Sequence, residues 1–119
     1  MTNLSGRRIL VVEDEFVLAD ELQRGLEDAG AEVVGPAPTV EAALKALRAG
    51  GTLDAAVLDM NLGPRNEKVY PVADVLDALG VPFVFVTGYE SHLIDERYAH
   101  VPRYGKPVNL GRVMQALFG

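Results

Sequence analysis

The chain has 119 residues, of which 49% are hydrophobic, and it contains no cysteine. A chain of this length buries roughly 65% of its unfolded surface, so a single domain over residues 1–119, folding around one core without staples, is expected. Lys and Arg number 11 against 17 Asp and Glu, a net charge of −6, which leaves no broad basic surface for a phosphate backbone and argues against direct nucleic-acid binding. Without thiols there is no disulfide framework, thiolate metal site or cysteine nucleophile. The start, Met1 to Arg8, is polar, and the apolar run behind it is too short for a signal-peptide core or a membrane span. A cytoplasmic protein with no membrane partner is the expectation.

In chain order, Ile9 to Val12 is a continuous, mostly β-branched run, the pattern of a strand buried on both faces of a parallel sheet. From Phe16 to Ala29, Leu18, Leu22 and Leu26 recur every four positions and Gly30 stops the helix. Val33-Val34 marks a second strand, and Gly35-Pro36-Ala37-Pro38 reads as a rigid turn. Thr39 caps a second helix over Ala42, Ala43, Ala46 and Leu47, ended by Gly50-Gly51. Leu53 to Leu58, interrupted by Asp54, is a third strand, with a polar loop from Gly63 to Lys68 beyond it. Pro71 suits the first turn of a third helix through Val72, Val75, Leu76 and Leu79, closed by Gly80. Val81 to Val86 is a fourth strand and Arg103-Tyr104-Gly105 a short fifth. Asn109 caps a last helix carrying Val113, Met114 and Leu117.

Strands and helices therefore alternate about five times, which predicts a three-layer α/β/α sandwich around a parallel sheet. Only 18 residues, Gly88 to Gly105, separate Thr87 from Lys106, yet they must supply a helix, a strand and two connections. Glu90 to His100, with Leu93, Ile94, Arg97 and Tyr98, forms a weak amphipathic pattern of about two turns. Helices that short are marginal. A shortened or mobile fourth helix is expected there, with the low local stability typical of switching elements.

Ligands of an open parallel sheet bind beyond the carboxyl ends of its strands. Glu13 and Asp14 follow the first strand, Asp59 ends the third, Thr87 ends the fourth, and Lys106-Pro107 follows the fifth. Three acids brought together repel one another unless a cation or a proton compensates. An oxygen-only set without His or Cys suits a hard ion, and Mg²⁺ fits because it takes one or two carboxylates plus a phosphate oxygen and keeps water. A hydroxyl at Thr87 and an ammonium at Lys106 suit phosphoryl oxygens, with Asp59 as nucleophile. Each residue alone has an ordinary reading: Glu13 and Asp14 as caps of the first helix, Asp59 as a turn residue, Lys106 as a solvated charge. Their joint appearance at strand ends is what favours chemistry.

Ile9-Leu10-Val11-Val12-Glu13-Asp14-Glu15, Leu58-Asp59-Met60-Asn61-Leu62, Thr87-Gly88 and Lys106-Pro107 together resemble the receiver domain of two-component response regulators, over essentially the whole chain. The resemblance implies a flavodoxin-like sheet of order 2-1-3-4-5. It also implies that Asp59 accepts a phosphoryl group from a sensor histidine kinase or phosphotransfer protein. Mg²⁺ is then bound by Asp14, Asp59 and the backbone carbonyl of Asn61, with Glu13 acting through water, while Thr87 and Lys106 hold the acyl phosphate. A cis Lys106-Pro107 peptide is part of the same pattern. On this reading the chain is not an enzyme toward other substrates and lacks an output domain. It signals by protein contact or onward transfer, or drains a kinase as a phosphate sink.

Pro82-Phe83-Val84-Phe85-Val86-Thr87-Gly88-Tyr89 resembles the FATGUY subclass, associated with kinases of the HWE type. The position three before Lys106, an aromatic in ordinary receivers, is Arg103, so Tyr104 or Tyr89 becomes a candidate substitute, against the simpler reading of surface tyrosines. Phe16 and Val17 extend the apolar character of the first helix as a kinase dock or as core. His92 and His100 have no second metal ligand at helical spacing. Two competing functions are an aspartyl-phosphate hydrolase, which would need an acid at Asn61, and a receiver-like binding module that is never phosphorylated.

Overall fold

A computed structural model describes residues 3–88 and 94–119. Its elements are β1 (Arg8–Val12), α1 (Phe16–Asp28), β2 (Glu32–Ala37), α2 (Val40–Arg48), β3 (Ala55–Asp59), β4 (Asn61–Leu62), β5 (Glu67–Lys68), α3 (Tyr70–Ala78), β6 (Phe83–Thr87), a 3₁₀ turn (Glu96–Tyr98), β7 (Arg103–Gly105) and α4 (Leu110–Phe118). The main sheet is parallel with order β2-β1-β3-β6-β7. Counting only its own strands, this is 2-1-3-4-5, the flavodoxin-like arrangement. No helix among the described residues is long and apolar enough to cross a membrane.

Strand periodicity builds the three layers. Ile9, Val11, Ala55, Val57, Val84 and Val86 lie in one cluster with Leu18, Leu22 and Leu26 of α1 and Val113 of α4. The alternate residues Leu10, Val12, Ala56, Leu58, Phe83 and Phe85 lie in the other, with Val40 and Ala43 of α2 and Val72, Ala73 and Leu76 of α3. The three central strands are thus buried on both faces, as their continuous apolar runs require. Asp54, which breaks the third run, lies just before β3, and its carboxylate accepts the Arg8 N–H at 2.8 Å. The two caps read from the sequence form: Thr39 Oγ1 accepts the Ala42 N–H at 3.0 Å and Asn109 Oδ1 accepts the Arg112 N–H at 3.2 Å. Leu79 departs from its expected place in the α3 stripe. It caps the helix C-terminus and is 63% exposed.

Gly35-Pro36 is not a turn after the second strand but part of it. Leu10 pairs with Val34 and Val12 with Ala37, so β2 carries one extra residue opposite Val11. Turn-forming residues are tolerated here because β2 is an edge strand and the extra residue is a bulge. Gly35 has φ +96°, and a Cβ there would sit 2.8 Å from the Val11 carbonyl oxygen and 2.7 Å from the Ala37 nitrogen, both backbone atoms that cannot turn aside. Beyond the bulge the Glu13 N–H donates to the Ala37 carbonyl at 3.0 Å, so β2 ends against the first acidic residue. Gly35→Ala is expected to lower stability by about 2 kcal/mol through the forced positive φ and the clash; urea unfolding with an unchanged midpoint would contradict this.

One further expectation changes. The polar stretch from Gly63 to Lys68 is not loop alone. Asn61 pairs with Lys68 and Leu62 with Glu67 in an antiparallel hairpin, closed by the Asn66 N–H to Gly63 carbonyl bond at 3.1 Å. In the crossover from β6 to β7, the described residues hold a single three-residue 3₁₀ turn, in keeping with the expected shortening of the fourth helix. The proposed start of that helix at Glu90 to Leu93, together with Tyr89 and His92, lies outside the described residues. Tyr98 on the turn is buried, with ring centroids 5.8 Å from both Phe83 and Tyr70 and 6.0 Å from Phe85. Its hydroxyl bonds to Asp74, and the Asp95 N–H donates to the Tyr70 hydroxyl at 2.7 Å. Arg103 is exposed, and Tyr104 is half-buried against the α1 and α4 side rather than a free surface tyrosine. Among the described residues, Tyr98 is the aromatic that packs against both Phe83 and Phe85 from this crossover.

Candidate functional site

The carboxyl ends of β1 and β3 bring three acids together. Carboxylate oxygens of Glu13, Asp14 and Asp59 lie within 4.8 Å of one another. Glu13 is 2% and Asp59 3% exposed, whereas Asp14 is open to solvent. Residue 13 continues the parity of Ile9 and Val11, and residue 59 that of Ala55 and Val57, which is how two charged groups come to lie at the buried margin of an apolar cluster. Among the described residues no histidine joins this group; His100 is exposed and lies elsewhere.

Backbone amides hold each acid in place. Asp59 Oδ1 accepts the Asn61 N–H at 3.2 Å, and Asp14 Oδ2 accepts the Gly63 N–H at 2.8 Å, both from the β4–β5 hairpin. Glu13 Oε2 accepts the Glu15 N–H at 3.0 Å just ahead of α1. The helix-capping reading is thus met in a limited way: Glu13 serves the N–H of the residue at the helix boundary, while the N-cap residue Glu15 makes no side-chain capping bond. The Lys106 ammonium lies 3.2 Å from Asp59, 3.4 Å from Glu13 and 3.6 Å from Glu15. Lys106-Pro107 is cis, as is Gly35-Pro36. Thr87 is buried at the end of β6, one residue past the Asp59–Val86 pair, and its hydroxyl donates to the Gly88 carbonyl at 3.1 Å. The Lys106 N–H donates to the Thr87 carbonyl at 3.0 Å, so the two residues are joined through the backbone.

The electrostatics follow from this crowding. Burial first, then the hydrogen bond and charge of Glu13, raise the pKa of Asp59 from 3.8 to about 8, against the opposing pull of Lys106. Burial works against the Lys106 charge, but Asp59 and Glu13 outweigh it and raise the lysine above its ordinary value. With Asp59 ionised, one buried side-chain atom among the described residues has no donor: Glu13 Oε1. A buried acceptor with no donor is costly. An all-oxygen cluster that repels itself and leaves an acceptor free suits a hard divalent ion such as Mg²⁺.

Sequence reasoning brought Glu13, Asp14, Asp59, Asn61, Thr87 and Lys106 to one end of the sheet, and the structure places them there. It missed two contributors. Glu15 is a third carboxylate on Lys106, a contact that its place at the boundary of α1 did not signal. Lys68 reaches across the hairpin to the Asn61 side-chain oxygen, and nothing in a polar loop reading pointed to that pair. Phe16 and Val17 are 83% and 62% exposed, which removes the core-packing reading for both. Phe16 lines a cleft of about 280 Å³ together with Glu13, Asp14, Asp20, Pro36 and Pro38.

No family model matches the chain. The structure of SdrG from Sphingomonas melonis Fr1 superposes with a TM-score of 0.82 at 38% identity, covering the full length of both chains. The BeF3-activated conformation of SdrG gives 0.73 at 40% identity, over 98% of this chain and 96% of that one. A response regulator receiver domain (CheY-like) from Methylobacillus flagellatus gives 0.73 at 25% identity over 93% of this chain and 98% of that one. The chain belongs to the CheY-like response regulator receiver domains. The phyllosphere-induced regulator PhyR of Methylorubrum extorquens is 31% identical over 115 residues, 92% of this chain. This receiver spans only 43% of PhyR's length.

Proposed function

We propose that this receiver accepts a phosphoryl group on Asp59 from a phosphohistidine of a sensor histidine kinase or phosphotransfer protein, with a divalent ion, and relays the signal through protein contact or onward transfer. The observation that carries this reading is the set of mutually repelling acids, Glu13 and Asp59 buried and Asp14 open to solvent, with Glu13 Oε1 lacking a donor, beside an ammonium held on Asp59. The Asp59 carboxylate oxygen forms the new P–O bond in line with the departing imidazole nitrogen, whose P–N bond breaks. Glu13, Asp14, Asp59 and the Asn61 carbonyl are the residues that would hold Mg²⁺, which when bound neutralises charge gathering on the phosphoryl oxygens. Lys106 and Thr87 supply an ammonium and a hydroxyl for the same oxygens. BeF3 mimics a phosphoryl group on an aspartate, so the activated form of SdrG supports the reading.

The receiver acts on its own aspartate and is not an enzyme toward external phosphoesters, because Asn61 offers neither the acid nor the base that an aspartyl-phosphate hydrolase needs two residues on. Exposed Phe16 at the acidic cleft, with exposed Val17 next to it in the chain, suits the kinase contact. The stretch from Pro82 to Gly88 favours the FATGUY subclass and hence a kinase of the HWE type. Incubation with acetyl phosphate and Mg²⁺ is expected to add one phosphoryl group by intact mass, and Asp59→Ala none. A wild type that stays unmodified would make the chain a receiver-like binding module.

A further inference from the structure

We infer that Lys68 is a positioning residue that lengthens the life of a phosphoryl group on Asp59, by holding the side-chain oxygen of Asn61 and denying it to attacking water. The inference rests on the proposed phosphorylation of Asp59. Asn61 and Lys68 are directly opposed in the β4–β5 ladder, so their side chains stand on the same face and meet. The Lys68 ammonium donates to Asn61 Oδ1. Because an ammonium is donor-only, it fixes which end of the carboxamide faces β5: the oxygen is taken and the NH₂ is left outward.

The main chain of Asn61 is itself tied to the phosphoacceptor through its N–H on Asp59 Oδ1 at 3.2 Å, so the carboxamide starts at the rim of the reacting centre. The hairpin that carries Lys68 is anchored at both ends. Gly63 donates to Asp14 at 2.8 Å, and the Val69 N–H donates to the Met60 carbonyl at 3.0 Å. Lys68 therefore has a fixed base from which to hold the amide.

Loss of the phosphoryl group proceeds by attack of a water oxygen on phosphorus in line with the Asp59 oxygen. The P–O bond to Asp59 breaks, the carboxylate is regenerated, inorganic phosphate leaves, and the water's protons pass to phosphate and solvent. A side-chain amide oxygen beside the phosphoryl group speeds such a step by orienting the water. With that oxygen held against β5, Asn61 offers only N–H donors.

The test uses the purified chain, loaded with acetyl phosphate and Mg²⁺, freed of donor by desalting, and followed by intact mass as the phosphoryl group decays. Lys68→Met is expected to shorten the lifetime about threefold to tenfold, and Lys68→Arg to restore it. Lys68→Met in an Asn61→Ala background is expected to decay no faster than Asn61→Ala alone, an outcome that a general change of charge would not produce. A Lys68→Met lifetime equal to wild type, or full acceleration retained without the Asn61 amide, overturns the assignment. Failure of the wild type to take up phosphoryl at all would instead sink the phosphorylation reading beneath it. Lys68 is exposed, so these variants are expected to fold.

Discussion

Asp59→Asn is expected to melt about 8 °C above the wild type in chelator at pH 8, while losing all phosphoryl uptake. The stabilisation is the reverse of the usual effect of altering a buried polar residue, and it comes from the acid crowding. Burial and Glu13 raise the Asp59 pKa from 3.8 to about 8 in the folded state, so the fold prefers the neutral acid more strongly than the unfolded chain does. A raised carboxyl pKa contributes stability that is fully present below about pH 4 and is lost as pH rises toward about 8. Asparagine is neutral throughout and keeps the Asn61 N–H satisfied. The difference between the two proteins should therefore be near zero at pH 4 and reach about 2 kcal/mol by pH 8, the full shift being shared with Glu13 and softened by solvent at the rim. Added Mg²⁺ should narrow it by stabilising the wild type. Equal melting temperatures at pH 8 in chelator would mean that the acids do not strain the fold.

Lys106→Met is expected to act in the opposite direction. Its ammonium is within 3.6 Å of three carboxylates, two of them buried, and methionine leaves Glu13 and Asp59 with no cation among the described residues. Removing one partner of a buried charge cluster costs about 3 kcal/mol, because the remaining charge is uncompensated. Urea unfolding in chelator at pH 8 should show this loss, and saturating Mg²⁺ should recover much of it. An unchanged midpoint in chelator would show that the ion pairs carry no weight, and a loss untouched by Mg²⁺ would show that the seat does not take the ion.

Where the chain follows local rules, its structure was legible. Continuous apolar runs marked β1, β3 and β6, and Thr39 and Asn109 announced the helices they cap. The acids were readable because strand ends of a parallel sheet converge on one edge, whatever the intervening loops. What escaped depended on long-range contacts. Gly35-Pro36 has turn chemistry, yet pairing with β1 draws it into a bulged edge strand. Asn61, Glu67 and Lys68 have no strand pattern, and their hairpin is held by bonds to Asp14 and Met60 that no local window contains. Tyr98 is buried because Phe83, Phe85 and Tyr70 surround it, though its own segment reads as marginal helix. Leu79 continued the apolar period of α3 but fell beyond the last turn.

The proposed phosphoacceptor is tested most directly by trapping the acyl phosphate where it forms. After reaction with acetyl phosphate and Mg²⁺, borohydride reduction and peptide mapping are expected to find homoserine at position 59, and none when Mg²⁺ is replaced by chelator. Trapping at another aspartate, or no trapping with the ion present, would contradict the assignment of Asp59.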